Sequence, residues 1–210
     1  LSFMVSSVVL SMYRVRRPDV IVVSSPTLFA VVSAYVFSRL RRVPYVFEVR
    51  DLWPAAIASL GVLDSSSWVV RALEKLELFL YHRAARVVTV TAAFRQDIAS
   101  RGIDAAKIEV ITNGADEALF HPRNGSGMRG ELGLEGRFIV LYIGAHGISQ
   151  ALSAVMEVAD RARASPKIHF LFVGEGAEKD ELVATRDRLG LTNVTFLPGQ
   201  PKEMVPSFYA

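Results

Sequence analysis

The chain has 210 residues, 24 Lys+Arg against 21 Asp+Glu (net +3), and no cysteine. That composition excludes a disulfide scaffold, a thiolate metal site and a cysteine nucleophile. Hydrophobic residues make up 51% of the chain, the content of a packed core and not of a disordered segment.

In chain order, Leu1 to Tyr13 is uncharged but too short to span a bilayer. Without an initiator Met or a basic leader it does not read as a signal peptide. Val20 to Ser38 is also free of charge, but Ser24-Ser25-Pro26 divides it. The β-branched run Val20–Val23 suits a buried strand, and Ser25 with Pro26 predicts a capped helix running to about Leu40. Pro44 to Val49 is a second strand, opening onto Arg50-Asp51-Leu52-Trp53-Pro54. Ala55 to Ser67 is small, mostly apolar and uncapped, either a mobile lid, a membrane-touching loop or a surface connection. Trp68 to Arg83 is an amphipathic helix with Val69, Leu73, Leu76 and Leu80 on one stripe. Arg86–Val90 is a strand, Thr91 caps a helix that stops at Gly102, and Lys107–Ile111 is a fourth strand.

Residues 121–137 are rich in Pro, Gly and Ser and form the best candidate domain boundary. The alternation then restarts. Strands are predicted at Phe138–Ile143, Ile168–Val173 and Val194–Leu197, with helices from about Gln150 to Ala164 and up to Gly190. Strands alternating with helices imply an α/β fold with parallel sheets, here in two modules of four and three strands. Charge follows the same division. Residues 1–112 hold 14 basic and 9 acidic side chains (net +5), and residues 113–210 hold 10 and 12 (net −2). The basic first half favours anionic lipid, phosphate or nucleic acid.

Ligands of parallel sheets bind at the carboxyl ends of the strands. In the second module those ends are Gly144-Ala145-His146-Gly147, Gly174-Glu175-Gly176 and Pro198-Gly199-Gln200. Glycine lets a backbone approach a ligand closely, and helix N-termini beside such loops favour phosphate. Neither a dinucleotide fingerprint nor a phosphate-loop motif occurs. In the first module Glu48, Arg50, Asp51 and Trp53 crowd the exit of an apolar strand, where charge is costly unless paired or used. The structural alternative is an Arg50–Asp51 ion pair with Trp53 as a core plug. His82, His121 and His169 read as structural, whereas His146 stands out between two strand-exit glycines. No metal-ligand spacing is present, so no protein-bound metal is expected.

Pro18–Pro26, Glu48–Pro54, Val110–Asp116 with Phe120 and Pro122, Tyr142–Gly147 and Val173–Lys179, in that order, resemble the retaining GT-B glycosyltransferases. The nearest subgroup is the bacterial O-antigen and capsule type, similar to the WbuB-like sugar transferases. The resemblance implies two Rossmann-like domains, both incomplete here. Residues 1–120 would be the acceptor-side domain without its start, 121–137 the hinge, and 138–210 the start of the nucleotide-sugar domain. It implies transfer with retention from a UDP- or GDP-sugar to a lipid-linked or polysaccharide acceptor, with no cofactor or metal. Gly144, His146 and Gly147 would lie under the donor diphosphate, Gly174 and Gly176 beside the donor, and Gly199 and Gln200 near the base. Arg50 and Asp51 stand where many relatives keep a catalytic His, with Glu48 and Trp53 on the acceptor side. Many relatives also neutralise the diphosphate with Arg and Lys after the first strand of this domain. Here the backbone and His146 would have to suffice, or the cation comes from elsewhere. The donor-binding Glu-x7-Glu motif of the family would lie beyond Ala210, so these residues alone are expected to be inactive. A cytoplasmic protein, peripheral on an anionic membrane, is the expected setting. A sugar-nucleotide epimerase on the same plan and a non-catalytic nucleotide-sugar-binding module remain open alternatives. Nucleic acid is not an expected partner, because no basic stripe with interleaved aromatics occurs.

Overall fold

The computed structural model describes residues 2–25, 27–54, 64, 67–121 and 127–210, apart from the Phe3 side chain. The chain divides into two compact units, Leu1–Gly114 and Ala115–Ala210. The division falls just ahead of the glycine-rich stretch, of which residues 122–126 lie outside the described ones.

The first unit holds α1 (Ser2–Arg14), β1 (Ile21–Ser24), α2 (Leu28–Arg41), β2 (Tyr45–Val49), α3 (Trp68–Arg83), β3 (Arg86–Thr89), α4 (Ala92–Ser100) and β4 (Ile108–Val110). Its four strands form one sheet in the order β1-β2-β3-β4, every pair parallel. Parallel neighbours need a crossover, and α2, α3 and α4 supply it each time. The core gathers Tyr45, Phe47 and Val49 of β2, Leu28 and Val31 of α2, Leu80 and Tyr81 of α3, Val87 of β3 and Ile98 of α4. Between α3 and α4 a buried carboxylate is neutralised. Glu77 accepts from the Arg101 guanidinium at 2.5 Å and from the Tyr81 hydroxyl at 2.7 Å. A buried charge without such partners would be strongly destabilising.

The second unit holds α5 (Met128–Glu131), β5 (Phe138–Ile143), α6 (Leu152–Arg161), β6 (Ile168–Val173), α7 (Lys179–Leu189), β7 (Val194–Leu197) and α8 (Val205–Tyr209). Its sheet is β5-β6-β7, again wholly parallel. β6 is central and nearly all buried, as its run Ile-His-Phe-Leu-Phe-Val requires.

Three local expectations change. Ser2–Arg14, uncharged up to Tyr13, form a helix that the sequence did not announce. Ser67, taken as uncapped connection, caps α3 by accepting the Val70 N–H at 3.2 Å. Ser25 does not cap α2. That helix begins at Leu28 after Thr27, without a side-chain cap, and the Ser25 hydroxyl is engaged elsewhere. Pro26 and the proposed lid, other than Asp64 and Ser67, lie outside the described residues. Thr91 caps α4 as expected, accepting the Phe94 N–H at 3.1 Å. Among the described residues no helix is long and apolar enough to cross a membrane.

Candidate functional site

In the first unit the strand exits are joined through Ser25, which is 4% exposed. Its hydroxyl accepts the backbone N–H groups of Arg50 at 2.9 Å and Asp51 at 3.2 Å, and donates to the Asp51 carbonyl at 3.3 Å. Its own N–H donates to the Glu48 carbonyl at 2.9 Å. One donor and two acceptor lone pairs are a hydroxyl's full capacity. Ser25 therefore fixes the segment that carries Arg50 and Asp51.

Glu48, at the end of β2, accepts from the Ser24 hydroxyl and lies 3.7 Å from the Arg50 guanidinium. Arg50 also donates to the Asn113 side-chain carbonyl at 3.3 Å, past the end of β4. The ion pair considered between Arg50 and Asp51 is thus replaced by one between Arg50 and Glu48. Asp51 is exposed and has no side-chain partner among the described residues. Trp53 is half-buried against the core and precedes a cis peptide bond to Pro54. This edge presents a held guanidinium beside an uncommitted carboxylate. Ser25→Ala would leave two N–H groups unsatisfied. It is expected to cost about 1–3 kcal/mol, read as a lower urea midpoint.

In the second unit the three glycine loops meet at one end of the sheet. Gly144 N–H donates to Val173 O at 2.9 Å, Gly174 N–H to Leu197 O at 3.2 Å, and His146 N–H to Glu175 O at 2.8 Å. The Glu178 N–H returns to His146 O at 3.0 Å. The Gly144–Gly147 loop therefore lies directly on the Gly174–Gly176 turn. A Cβ at Gly174 would collide with the Gly144 carbonyl, and one at Gly176 with the His146 main chain. Gly174 also has φ +150°, which other residues rarely adopt. These two glycines serve the approach of one loop to another.

That packing alters the expected phosphate cradle. Gly144 and His146 already donate their N–H groups within the unit. Gly147 donates to the Gln150 side-chain carbonyl at 3.1 Å, and Gly199 to the Glu175 carboxylate at 3.2 Å. The last two partners are exposed side-chain ends that an incoming anion can displace. The Gln200 amide folds back onto the Pro198 carbonyl at 3.1 Å.

His146 is not on the loop surface. Its ring is fully buried among Tyr142, Phe172 and Phe196, and neither ring nitrogen has a partner among the described residues. Burial, and then the nearby Lys179 charge, hold its pKa below the ordinary imidazole value. The ring is neutral at neutral pH, so it supplies no cation here.

The cation at this edge is Lys179, the first residue of α7, which was not among the expected site residues. Its ammonium donates to Gly174 O at 2.9 Å, to Leu197 O at 3.2 Å and to the Glu175 carboxylate at 2.8 Å. Glu175 in turn holds Gly199, so one Lys–Glu pair ties two of the three loops together. In sequence, Lys179 only closes the Val173–Lys179 segment of the resemblance, with no role of its own. Only the β7 contact reveals its other role.

His169, in β6, is buried with its ring against the Thr195 hydroxyl at 2.9 Å, and burial also lowers its pKa. Both histidines bind protons more readily unfolded than folded. Their stabilisation is complete above the unfolded pKa of about 6.5 and falls as pH drops below it, by up to ~1.4 kcal/mol per pH unit for each ring. Thermal melts from neutral to acidic pH are expected to show that loss, and His146→Phe to reduce the slope.

Residues 2–114 match the glycosyl transferase 4-like domain. The chain is 29% identical over 213 residues to WcaI of Escherichia coli (strain K12), assigned to colanic acid biosynthesis as a glycosyl transferase, covering 98% of this chain and 52% of that protein. It is 32% identical over 182 residues to the D-inositol 3-phosphate glycosyltransferase of Nocardia farcinica, covering 80% of this chain and 39% of that one. The chain spans about half the length, or less, of these curated relatives. Among solved structures, Anabaena HepE in complex with UDP and glucose superposes with a TM-score of 0.72 at 22% identity, over 99% of this chain and 53% of that one. Sucrose-phosphate synthase of Thermosynechococcus elongatus gives 0.72 at 18%, over 99% and 52%. At such identities the likeness establishes the fold. The chain belongs to the glycosyl transferase 4-like domain family, and its two parallel α/β units have the architecture of GT-B glycosyltransferases.

Proposed function

We propose that the protein is a retaining glycosyltransferase that moves a sugar from a UDP- or GDP-sugar to a lipid-linked or polysaccharide acceptor. Its setting is bacterial surface-polysaccharide synthesis, of the O-antigen or capsule type, in the cytoplasm at the inner face of the plasma membrane. The observation that carries this reading is the family match over residues 2–114, supported by the colanic acid assignment of WcaI. HepE, a structural neighbour, binds UDP and glucose.

In this reading the strand-exit edge of the second unit holds the donor. Gly144, Gly147, Gly174, Gly176, Gly199 and Gln200 shape the surface, and His146 supports the loop from beneath. The N-termini of α6 and α7 favour the leaving diphosphate. Lys179, paired with Glu175, places a cation at the same edge, and in this reading the transfer uses no metal ion. Asp51 accepts a hydrogen bond from a sugar hydroxyl, and Arg50, braced by Glu48 and Asn113, stabilises charge at the reacting centre. Trp53 gives the acceptor an apolar wall.

The test is acceptor-dependent release of nucleoside diphosphate by the full-length protein, with and without EDTA, and proton NMR of the new linkage. Retention, EDTA resistance and a fall in kcat of about 10–10² for Asp51→Asn are expected. Inversion at the anomeric carbon would refute the retaining mechanism. Epimerised nucleotide sugar formed without acceptor would replace the transferase reading.

A further inference from the structure

A second polar cleft opens at the amino end of β2, the opposite end of that strand from Arg50 and Asp51. Its volume is about 620 Å³, within the range of small-molecule sites. Arg39 and Arg42 from the end of α2 line it, with His82 and Arg83 from the end of α3. Among the described residues no lining side chain is acidic. The acids ahead of β1 and β4, Asp19 and Asp104, lie outside the lining, and Asp104 accepts the Ala106 N–H at 2.9 Å. More positive charge stands beside the cleft. Arg86 is exposed at the start of β3, and the Lys107 ammonium donates to the His82 carbonyl at 2.7 Å. Like charges gathered in one place repel until an anion joins them.

Cations in the last turns of α2 and α3 complement the helix dipoles, which accounts for Arg39, His82 and Arg83. It does not account for Arg42. That residue is left-handed, at φ 53° and ψ 52°, in a C-terminal position where glycine is usual. A β-carbon is unfavourable there, and no hydrogen bond or ion pair of the Arg42 side chain offsets it among the described residues. The backbone around it is firmly held. Ser38 O accepts the Val43 N–H at 3.1 Å, the Ser38 hydroxyl donates to Val43 O at 2.5 Å, and Arg17 donates to Arg42 O at 3.2 Å. Arg39 likewise has a free guanidinium among the described residues. The Arg83 guanidinium lies 5.2 Å from the Phe79 ring centroid, a contact with its planar face that keeps its N–H edge for an anion.

We propose that this cleft binds a soluble, multiply charged phosphate, an oligophosphate or phosphate ester, held by Arg39, Arg42 and Arg83. Guanidinium forks match phosphate oxygens in pairs. Ser38, Val43 and Tyr45 of the lining are buried, so the cleft recedes below the surface, where a compact anion fits and a flat membrane does not. The site is separate from the proposed donor edge, which belongs to the second unit, and it stands or falls independently of transferase activity.

The experiment is calorimetric titration of the full-length protein with sodium tripolyphosphate at two salt concentrations. Saturable binding, weaker at the higher salt, is expected. Arg39→Gln with Arg42→Gly should weaken it about tenfold or more. The melting temperature of that variant should equal or exceed wild type, because glycine relieves the left-handed position. Arg39→Gln and Arg83→Gln, each alone, should weaken binding several-fold and repeat the test at single positions. Lys179→Ala, which removes the cation of the other unit, should leave binding unchanged. No saturable binding, or binding that the arginine variants leave intact, would overturn the proposal. So would loss of binding in Lys179→Ala, which would place the anion at the strand-exit edge of the second unit. Phosphatidylglycerol vesicles complete the test. Arginine-dependent vesicle binding without binding of tripolyphosphate would overturn it by assigning the arginines to a lipid surface.

Discussion

Gly176→Ala is expected to disrupt the second unit, at a cost of about 3 kcal/mol or more. The added methyl group would fall on the main chain of His146, whose carbonyl oxygen, carbonyl carbon and nitrogen are its three nearest atoms. A flexible side chain could swing away. This backbone is pinned by the bonds of His146 N–H to Glu175 O and of Glu178 N–H to His146 O. Gly174→Ala should be at least as damaging, because it meets the Gly144 carbonyl and must also adopt φ near +150°. Gly114→Ala is the control. Its Cβ would meet nothing within 4 Å, and the change should stay within about 0.5 kcal/mol. Circular dichroism melts of the three variants check this order. A melting temperature for Gly176→Ala equal to wild type would mean that the two loops do not lie together.

Lys179→Met is expected to give the second large effect, with a signature different from simple unfolding. Removing the ammonium leaves the Gly174 carbonyl without its donor and takes one of two donors from the Leu197 carbonyl and the Glu175 carboxylate, worth about 1–3 kcal/mol. The Gly174–Gly176 turn and the end of β7 then lose the ammonium that ties them, and the edge loses its cation. The donor KM should rise about tenfold or more while kcat changes less, the pattern of lost ground-state positioning. Lys179→Arg should restore charge but only part of the affinity. A planar guanidinium cannot converge on the three acceptors as a compact ammonium does. Melting temperature measured beside KM separates the two consequences. If stability falls and the donor KM does not move, Lys179 is only a structural tie.

Much of the fold was legible because its signals are local. The β-branched run Val20–Val23, the strand Ile168–Val173 and the cap at Thr91 each declare themselves within a few residues, although the first is an edge strand with Val20 and Val22 exposed and not the buried one expected. Parallel pairing followed from their alternation with helices. α1 was missed because Ser, Val and Met fill it without a polar face, so hydropathy showed only an uncharged stretch. The site was legible in position but not in detail. The strand-exit loops of the second unit do converge, as their placement after parallel strands requires. Their glycines read as openings for a ligand, yet Gly174 and Gly176 are filled by the neighbouring loop. His146 was placed under the donor, whereas its ring is buried and the chain at Gly174 and Gly176 closes onto it. Ser25 looked like a helix cap because Pro26 follows it, but its hydroxyl serves Arg50 and Asp51 from the next strand. The errors at the site share one physical source. A contact between residues 25 or more apart, whether a hydrogen bond or a close approach of two loops, leaves no mark in a local pattern.

The most direct measurement is calorimetric titration of the full-length protein with UDP-glucose and with GDP-mannose, each beside Lys179→Ala. Saturable binding of a nucleotide sugar, weakened about tenfold or more in the variant, is the predicted result. Binding of neither, or binding that Lys179→Ala leaves unchanged, would contradict a donor site at the strand-exit edge of the second unit.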